Sequence, residues 1–148
     1  MDDRFVKLFN HLIFEMDRDD IEISREPELR MRHQSGYFRV KVADILFAEI
    51  TSDKRLALIT KTGIISLSGV TLNSLLDEIN DGCIIRSSKS SAVNVNNISR
   101  IMQITCKTWD IRFDFLQDRV CRLSYHYYAS VVAAFMRAAP EKQSEFVK

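Results

Sequence analysis

Residues 84–98 read Ile84-Ile85-Arg86-Ser87-Ser88-Lys89-Ser90-Ser91-Ala92-Val93-Asn94-Val95-Asn96-Asn97-Ile98. An apolar run passes into a basic, hydroxyl-rich stretch; a second apolar run, 92–95, follows, and an Asn-rich turn closes the segment. That order predicts strand, loop, strand and turn. Serine hydroxyls and basic side chains are what contacts to a phosphate backbone use. Lys89 also has the reach to donate to a guanine edge in a major groove. By composition alone the same loop fits an ordinary polar surface turn.

Outward from this segment the strand period continues. Upstream, Phe38, Val40 and Val42 alternate with Arg39 and Lys41, residues 45–50 are a short apolar run, and 51–54 are a polar turn. Residues 55–60 and 64–67 flank the tight turn Lys61-Thr62-Gly63, a hairpin pattern. Between the hairpin and the central segment, Val70, Leu72, Leu75, Leu76 and Ile79 fall on one side of a helix over 70–80. Ser68 or Thr71 is placed to cap it, and Gly82 lies just past its end. Downstream, residues 100–106, 109–115 and 119–123 read as strands. A final helix begins at Ser124, its predicted apolar face being Tyr128, Val131, Val132, Phe135 and Met136, and Pro140 is expected to end it. The sum is about eight short strands, a central short helix and a C-terminal helix: a mainly β, β-rich α+β domain.

The first 35 residues differ in character. Phe5, Leu8, Phe9, Leu12, Ile13 and Met16 share one face of an amphipathic helix over 3–17, suited either to packing on the domain or to pairing with its copy in a second chain. Residues 17–34 are charged and interrupted by Pro27, and read as a linker with a short strand at 21–23. The expected organisation is therefore an N-terminal helix and linker over 1–35, the β-rich domain over 36–137 and a flexible tail over 138–148.

Composition narrows the function classes. The chain has 148 residues, 46% of them hydrophobic, with 4 glycines and 2 prolines, enough to bury one sizeable core. Cys83, Cys106 and Cys121 are widely separated and lack metal-ligand spacing, so the expectation is three buried, reduced thiols. No two of His11, His33 and His126 lie at ligand spacing, and no phosphate loop, dinucleotide fingerprint, nucleophile elbow or zinc-protease motif occurs. No enzyme, cofactor or metal is expected. The acidic, interrupted N-terminus is not a secretion signal and no run of about 18 apolar residues exists, so a cytoplasmic protein without membrane insertion is expected. The formal net charge is +1, but residues 1–30 hold nine acids and five bases while 31–148 hold 11 acids and 16 bases. No acid interrupts the stretch that carries Arg86, Lys89, Arg100 and Lys107, which favours a basic surface on the main domain.

The central segment resembles the signature of the LytTR family of bacterial DNA-binding domains, in which a strand ending in Phe-x-Arg is followed by His, a basic residue or Asn, Ser, two variable residues, Val-Asn and a spaced Ile. Arg86, Lys89-Ser90, Val93-Asn94 and Ile98 stand at matching intervals. Val42-Ala43-Asp44-Ile45-Leu46-Phe47-Ala48-Glu49 matches the family's upstream Asp-Ile strand, residues 72–79 its central helix, and Leu123-Ser124-Tyr125-His126-Tyr127-Tyr128 the start of its last helix. The likeness covers residues 36–137. Three departures stand out: Ser88 replaces the usual His, Ile84 or Ile85 the usual Phe, and Tyr125-His126 the usual Arg after Ser124. Either the target sequence differs from that of relatives, or specific readout has weakened.

The resemblance implies an elongated multi-stranded LytTR-like β domain that presents loops, not a recognition helix, to successive major grooves of double-stranded DNA. It places Lys54 and Arg55 in one loop, Arg86, Ser88, Lys89 and Ser90 in a second, and Tyr125 and His126 at the start of the last helix. The function implied is transcription regulation; a homodimer on DNA is the expected assembly, with the N-terminal helix as one route to it. The N-terminal extension is too short for the receiver domain that many relatives carry, so control is expected from abundance, oligomerisation or a regulatory protein partner. The competing reading is the same fold no longer able to bind DNA, acting as a protein-interaction or anti-regulator module.

Overall fold

A computed structural model describes residues 26–33, 36–114 and 116–147. The helix expected over 3–17 and the strand expected at 21–23 lie outside them. Among the described residues the order is β1 (Glu28–His33), β2 (Gly36–Lys41), a 3-10 turn (Val42–Asp44), β3 (Ile45–Ile50), β4 (Leu56–Thr60), β5 (Gly63–Leu67), α1 (Leu72–Ile79), β6 (Ile84–Ser88), β7 (Ser91–Asn94), a second 3-10 turn (Val95–Asn97), β8 (Arg100–Thr105), β9 (Thr108–Phe113), β10 (Leu116–Ser124) and α2 (Tyr125–Val147). The strands form three antiparallel sheets: β1-β2, the five-stranded β5-β4-β3-β7-β6, and β8-β9-β10.

The five-stranded sheet is covered on both faces, which explains why its central strands read as continuous apolar runs. All five residues of β4, Leu-Ala-Leu-Ile-Thr, are buried. Successive side chains of a strand point to opposite faces. Leu56 and Leu58 accordingly join a cluster with Leu29, Leu72, Leu75 and Ile79, beneath α1 and the β1-β2 hairpin. Ala57 and Ile59 join the opposite cluster with Ile111, Phe113, Cys121, Leu123 and Val131, under β9, β10 and α2. Phe47 on β3 stacks on Phe113 of β9, ring centroids 5.3 Å apart, and so joins two sheets across that interface.

Three local findings depart from the sequence reading. Glu28–His33 is a strand of the β1-β2 hairpin, not part of a linker. Its alternation was hidden by four charged or histidine positions, while Leu29 is 1% exposed and Met31 packs beside it. The hairpin is tied down by the Ser68 backbone N–H donating to His33 Nε2 at 2.9 Å and by Val42 N–H donating to the Pro27 carbonyl at 2.9 Å. The last helix runs past Pro140 to Val147; a proline removes one i to i−4 bond at a cost of about 3 kcal/mol, and the helix continues beyond it. Its inward residues are Tyr127, Val131, Ala134 and Phe135, whereas Met136, predicted on the apolar face, is 59% exposed. Cys106, expected to be buried, is exposed in the β8-β9 turn, while Cys121 is buried.

The cap of α1 is Thr71, not Ser68. Thr71 Oγ1 accepts from Ser74 N–H at 3.1 Å, and Ser74 Oγ accepts from Thr71 N–H at 3.2 Å. Asn80 closes the helix in the left-handed region with φ 45°.

Asn94, in the Val-Asn part of the central segment, is fully buried. Its Nδ2 donates to the carbonyls of Val42 at 3.1 Å and Ile45 at 3.0 Å, and its Oδ1 accepts from Asn96 N–H at 3.1 Å. Asn97 Nδ2 reaches Ala43 and Ile45 carbonyls at 2.9 and 2.8 Å. The two amides thus replace backbone partners for the 3-10 turn that leads into β3. Asn94→Ala removes this and leaves buried carbonyls short of donors, each costing about 1–3 kcal/mol. Urea unfolding should show a loss of roughly 3 kcal/mol, with Asn97→Ala, less buried, losing less.

Candidate nucleic-acid interface

The β6-β7 turn is built around its serines. Ser87 and Ser91 are buried, their hydroxyls 2.7 Å apart, and the Ser88 hydroxyl lies 2.5 Å from that of Ser91. Ser88 is only 7% exposed and its Oγ also accepts from Ser90 N–H at 3.3 Å. The residue expected on the loop surface is therefore an internal brace. It turns inward because the ladder has an irregularity between Arg86 and Ser88. Arg86 is half-buried, and its guanidinium is engaged at both ends: Nη1 donates to the Lys89 carbonyl at 2.8 Å and Nη2 to Asn73 Oδ1 on α1. It splints the turn against the helix. Lys89 and Ser90, at the tip, are exposed.

This turn abuts the β3-β4 turn, since Ile50 N–H donates to the Ser90 carbonyl at 2.8 Å. Residues 51–55 are held by Thr51 N–H donating to the Arg55 carbonyl at 2.8 Å and Lys54 N–H donating to the Thr51 carbonyl at 2.9 Å. The tight path sets Lys54 at φ 64°, a left-handed conformation that non-glycine residues adopt at a cost. Both Lys54 and Arg55 are exposed. Asp53 immediately precedes them, 3.8 Å from Arg55 Nε. The Thr51 hydroxyl donates to its carboxylate and holds its pKa below the usual value, so it stays charged near neutral pH.

The same turn also meets the end of β10. Ser91 Oγ donates to the Arg122 carbonyl at 3.2 Å, and Ser87 Oγ lies 3.3 Å from Cys121 Sγ. Four residues after Arg122 comes His126 in the first turn of α2, its ring 6.2 Å from that of Tyr125 and at 71° to it. Both are exposed, Tyr125 by 64%. Three segments far apart in sequence, 51–55, 89–90 and 122–126, are thereby joined through the β6-β7 turn.

Lys54, Arg55, Lys89, Ser90, Tyr125 and His126 are thus exposed residues of adjoining segments, whereas Arg86 and Ser88 are committed to internal bonds. Arg122 was missed by sequence reasoning. It is exposed between buried Cys121 and Leu123, and that alternation was the available signal. The acids close by are Asp53, Asp110, the cross-strand partner of Arg122, and the half-buried Glu49, which pairs with Ser91 across β3 and β7. The cations therefore outnumber the acids on this set of turns, an arrangement suited to phosphate and base-edge contacts. Among the described residues no group of three His, Cys, Asp or Glu side chains is placed to hold a metal ion, and no helix is long and apolar enough to cross a membrane.

The sequence profile of the LytTr DNA-binding domain matches residues 35–136 of the chain. Among solved structures the fold is similar to the LytTr DNA-binding domain of a protein from Bacillus cereus described as a putative methyl-accepting/DNA response regulator. That likeness has a TM-score of 0.59 at 18% identity, over 74% of this chain and 97% of the other. No curated protein sequence matches the chain.

The junction also fixes thiol reactivity. Burial is the main cause that pushes the Cys121 thiol up to about 12, and burial followed by the Asp81 side chain does the same to Cys83. A thiolate-seeking reagent at pH 8 should label Cys106 rapidly in the folded chain and reach Cys121 only on unfolding. Mass spectrometry of the labelled peptides checks this; fast labelling of Cys121 would mean that the serine junction opens.

Proposed function

The chain belongs to the LytTR family of DNA-binding domains, and from that premise we propose that it regulates transcription by laying its three adjoining segments against successive major grooves of double-stranded DNA. The DNA-binding unit is the β-rich domain, to which the strand Glu28–His33 and the helix α2 also belong. The observation that supports this reading is the pair of bonds that flank the β6-β7 turn, Ile50 N–H to the Ser90 carbonyl and Ser91 Oγ to the Arg122 carbonyl. They tie the β6-β7 turn, whose tip carries Lys89, to Ile50 just before the Lys54-Arg55 turn and to Arg122 shortly before the Tyr125-His126 helix start.

The division of labour follows from side-chain chemistry. Lys89, exposed at the tip, donates to guanine N7 and O6 or to a phosphate. Lys54 and Arg55 supply phosphate contacts, and Ser90 adds a neutral one. His126 takes the position of the family's arginine and contacts a base edge in the next groove, with Tyr125 beside it. Arg86 and Ser88 act through the loop they hold. The protein works as a binder and not a catalyst, and as a homodimer whose two copies meet through the apolar face of residues 3–17.

The test is a salt titration of variants against one selected duplex and one scrambled duplex. Lys89→Ala and His126→Ala should each cost about 1–3 kcal/mol on the selected site and little on the scrambled one. Arg55→Ala should weaken both together and lower the salt slope by about 0.9. If all three bind both duplexes as the parent does, the DNA reading of these segments fails and a protein-interaction role takes its place. Removing residues 1–20 should halve the sedimenting mass; an unchanged mass would exclude dimerisation through that segment.

A further inference from the structure

On β8-β9-β10 the positions Ile101, Trp109, Ile111, Cys121 and Leu123 face the core. The alternate positions face away from it, and three of them are arginines. Arg100 and Arg112 are direct cross-strand partners, and Arg122 is the partner of Asp110. Arg100 and Arg122 are exposed and Arg112 is half-exposed. None of the three guanidiniums is ion-paired or hydrogen-bonded among the described residues. Lys107, exposed in the β8-β9 turn, adds a fourth cation at the near end.

Two arginines set directly opposite each other repel, and such like-charge pairs destabilise a sheet. An anion bound between or across them reverses the sign of that contribution. Asp110 is the single acid on the regularly paired rows of this face, where Met102 is its other neighbour. The row of arginines also has a direction. Arg122, whose carbonyl receives the Ser91 hydroxyl, stands at the loop site. Arg112 and Arg100 lie one same-face step further along the ladder, a step of about 6.6–6.8 Å. The positive surface is therefore continuous with the loops and leads away from them. Guanidinium groups match the geometry of phosphate oxygens, two N–H donors to one group.

We propose that the outer face of β8-β9-β10, through Arg100, Arg112 and Arg122, binds the phosphate backbone of duplex DNA flanking the stretch contacted by the loops, without reading its sequence. This rests on the DNA-binding reading above. It makes the protein's footprint longer than its sequence-determining segment, and it gives part of the affinity to DNA that no loop touches.

The experiment compares the parent, the double variant Arg100→Ala/Arg112→Ala and the double variant Arg100→Lys/Arg112→Lys on two duplexes. One is the shortest that retains specific binding, the other extends it by a full helical turn on each side. On the long duplex the alanine pair should reduce the salt slope by about two, at roughly 0.9 per phosphate contact, and the lysine pair should restore most of it. On the short duplex all three should bind alike, with selected-to-scrambled preference unchanged. An unchanged slope for the alanine pair on the long duplex overturns the proposal, as does a lysine pair that fails as fully as alanine. Failure of the DNA reading itself has a separate signature, a parent protein that binds neither duplex.

Discussion

The five-stranded sheet has apolar side chains on both of its faces, and neither face can be left in water. A fully buried Leu or Ile is worth about 1.5–3 kcal/mol over an exposed one, and β4 alone presents Leu56 and Leu58 to one side and Ile59 to the other. Two covers are therefore required, and they are of different kinds. One is α1 with the β1-β2 hairpin, the other the three-stranded sheet with α2. Because the second cover must cross over the sheet to reach its face, the end of β10 passes the β6-β7 turn. That crossing brings the start of α2 beside loops that precede it by dozens of residues.

Polar groups buried by this arrangement are each given a partner. Among the described residues no buried side-chain nitrogen or oxygen lacks one. Asn94 and Asn97 serve the 3-10 turn before β3, and the three serines of the β6-β7 turn serve one another, Cys121 and the Arg122 carbonyl. Several residues that look like ligand-binding chemistry in the sequence are in fact the supports of the site. A half-satisfied network of this kind costs more than an apolar one, so the serines and asparagines constrain one another, and the exposed residues they support inherit a fixed position.

Charge is distributed in the same spirit. The net charge of +1 conceals a concentration of cations on the loop edge and on the outer face of β8-β9-β10. A polyanion with one charge per about 1.7 Å of helix axis responds to such local arrays, not to the net charge of the chain. Asp53 and Asp110 moderate the array, each close to an arginine in space or on the ladder.

Most of the strand order was legible in the sequence, because period-2 alternation and the Lys61-Thr62-Gly63 turn are local properties. The spacing of Arg86, Lys89-Ser90, Val93-Asn94 and Ile98 was likewise readable, and with it the family. The strand Glu28–His33 was not, since charged residues on its outer face masked a short inward pattern. Nor could sequence separate Ser88 from Ser90, two serines of one turn: a ladder irregularity sends one hydroxyl inward and leaves the other residue exposed. The same holds for Arg86, whose two donors are taken by Asn73 and the Lys89 carbonyl, and for Arg122, whose neighbours at the site come from other strands. Local chemistry determines which residues can bind a phosphate. Only the packing of two covers onto one sheet decides which of them face outward, and which segments they stand beside.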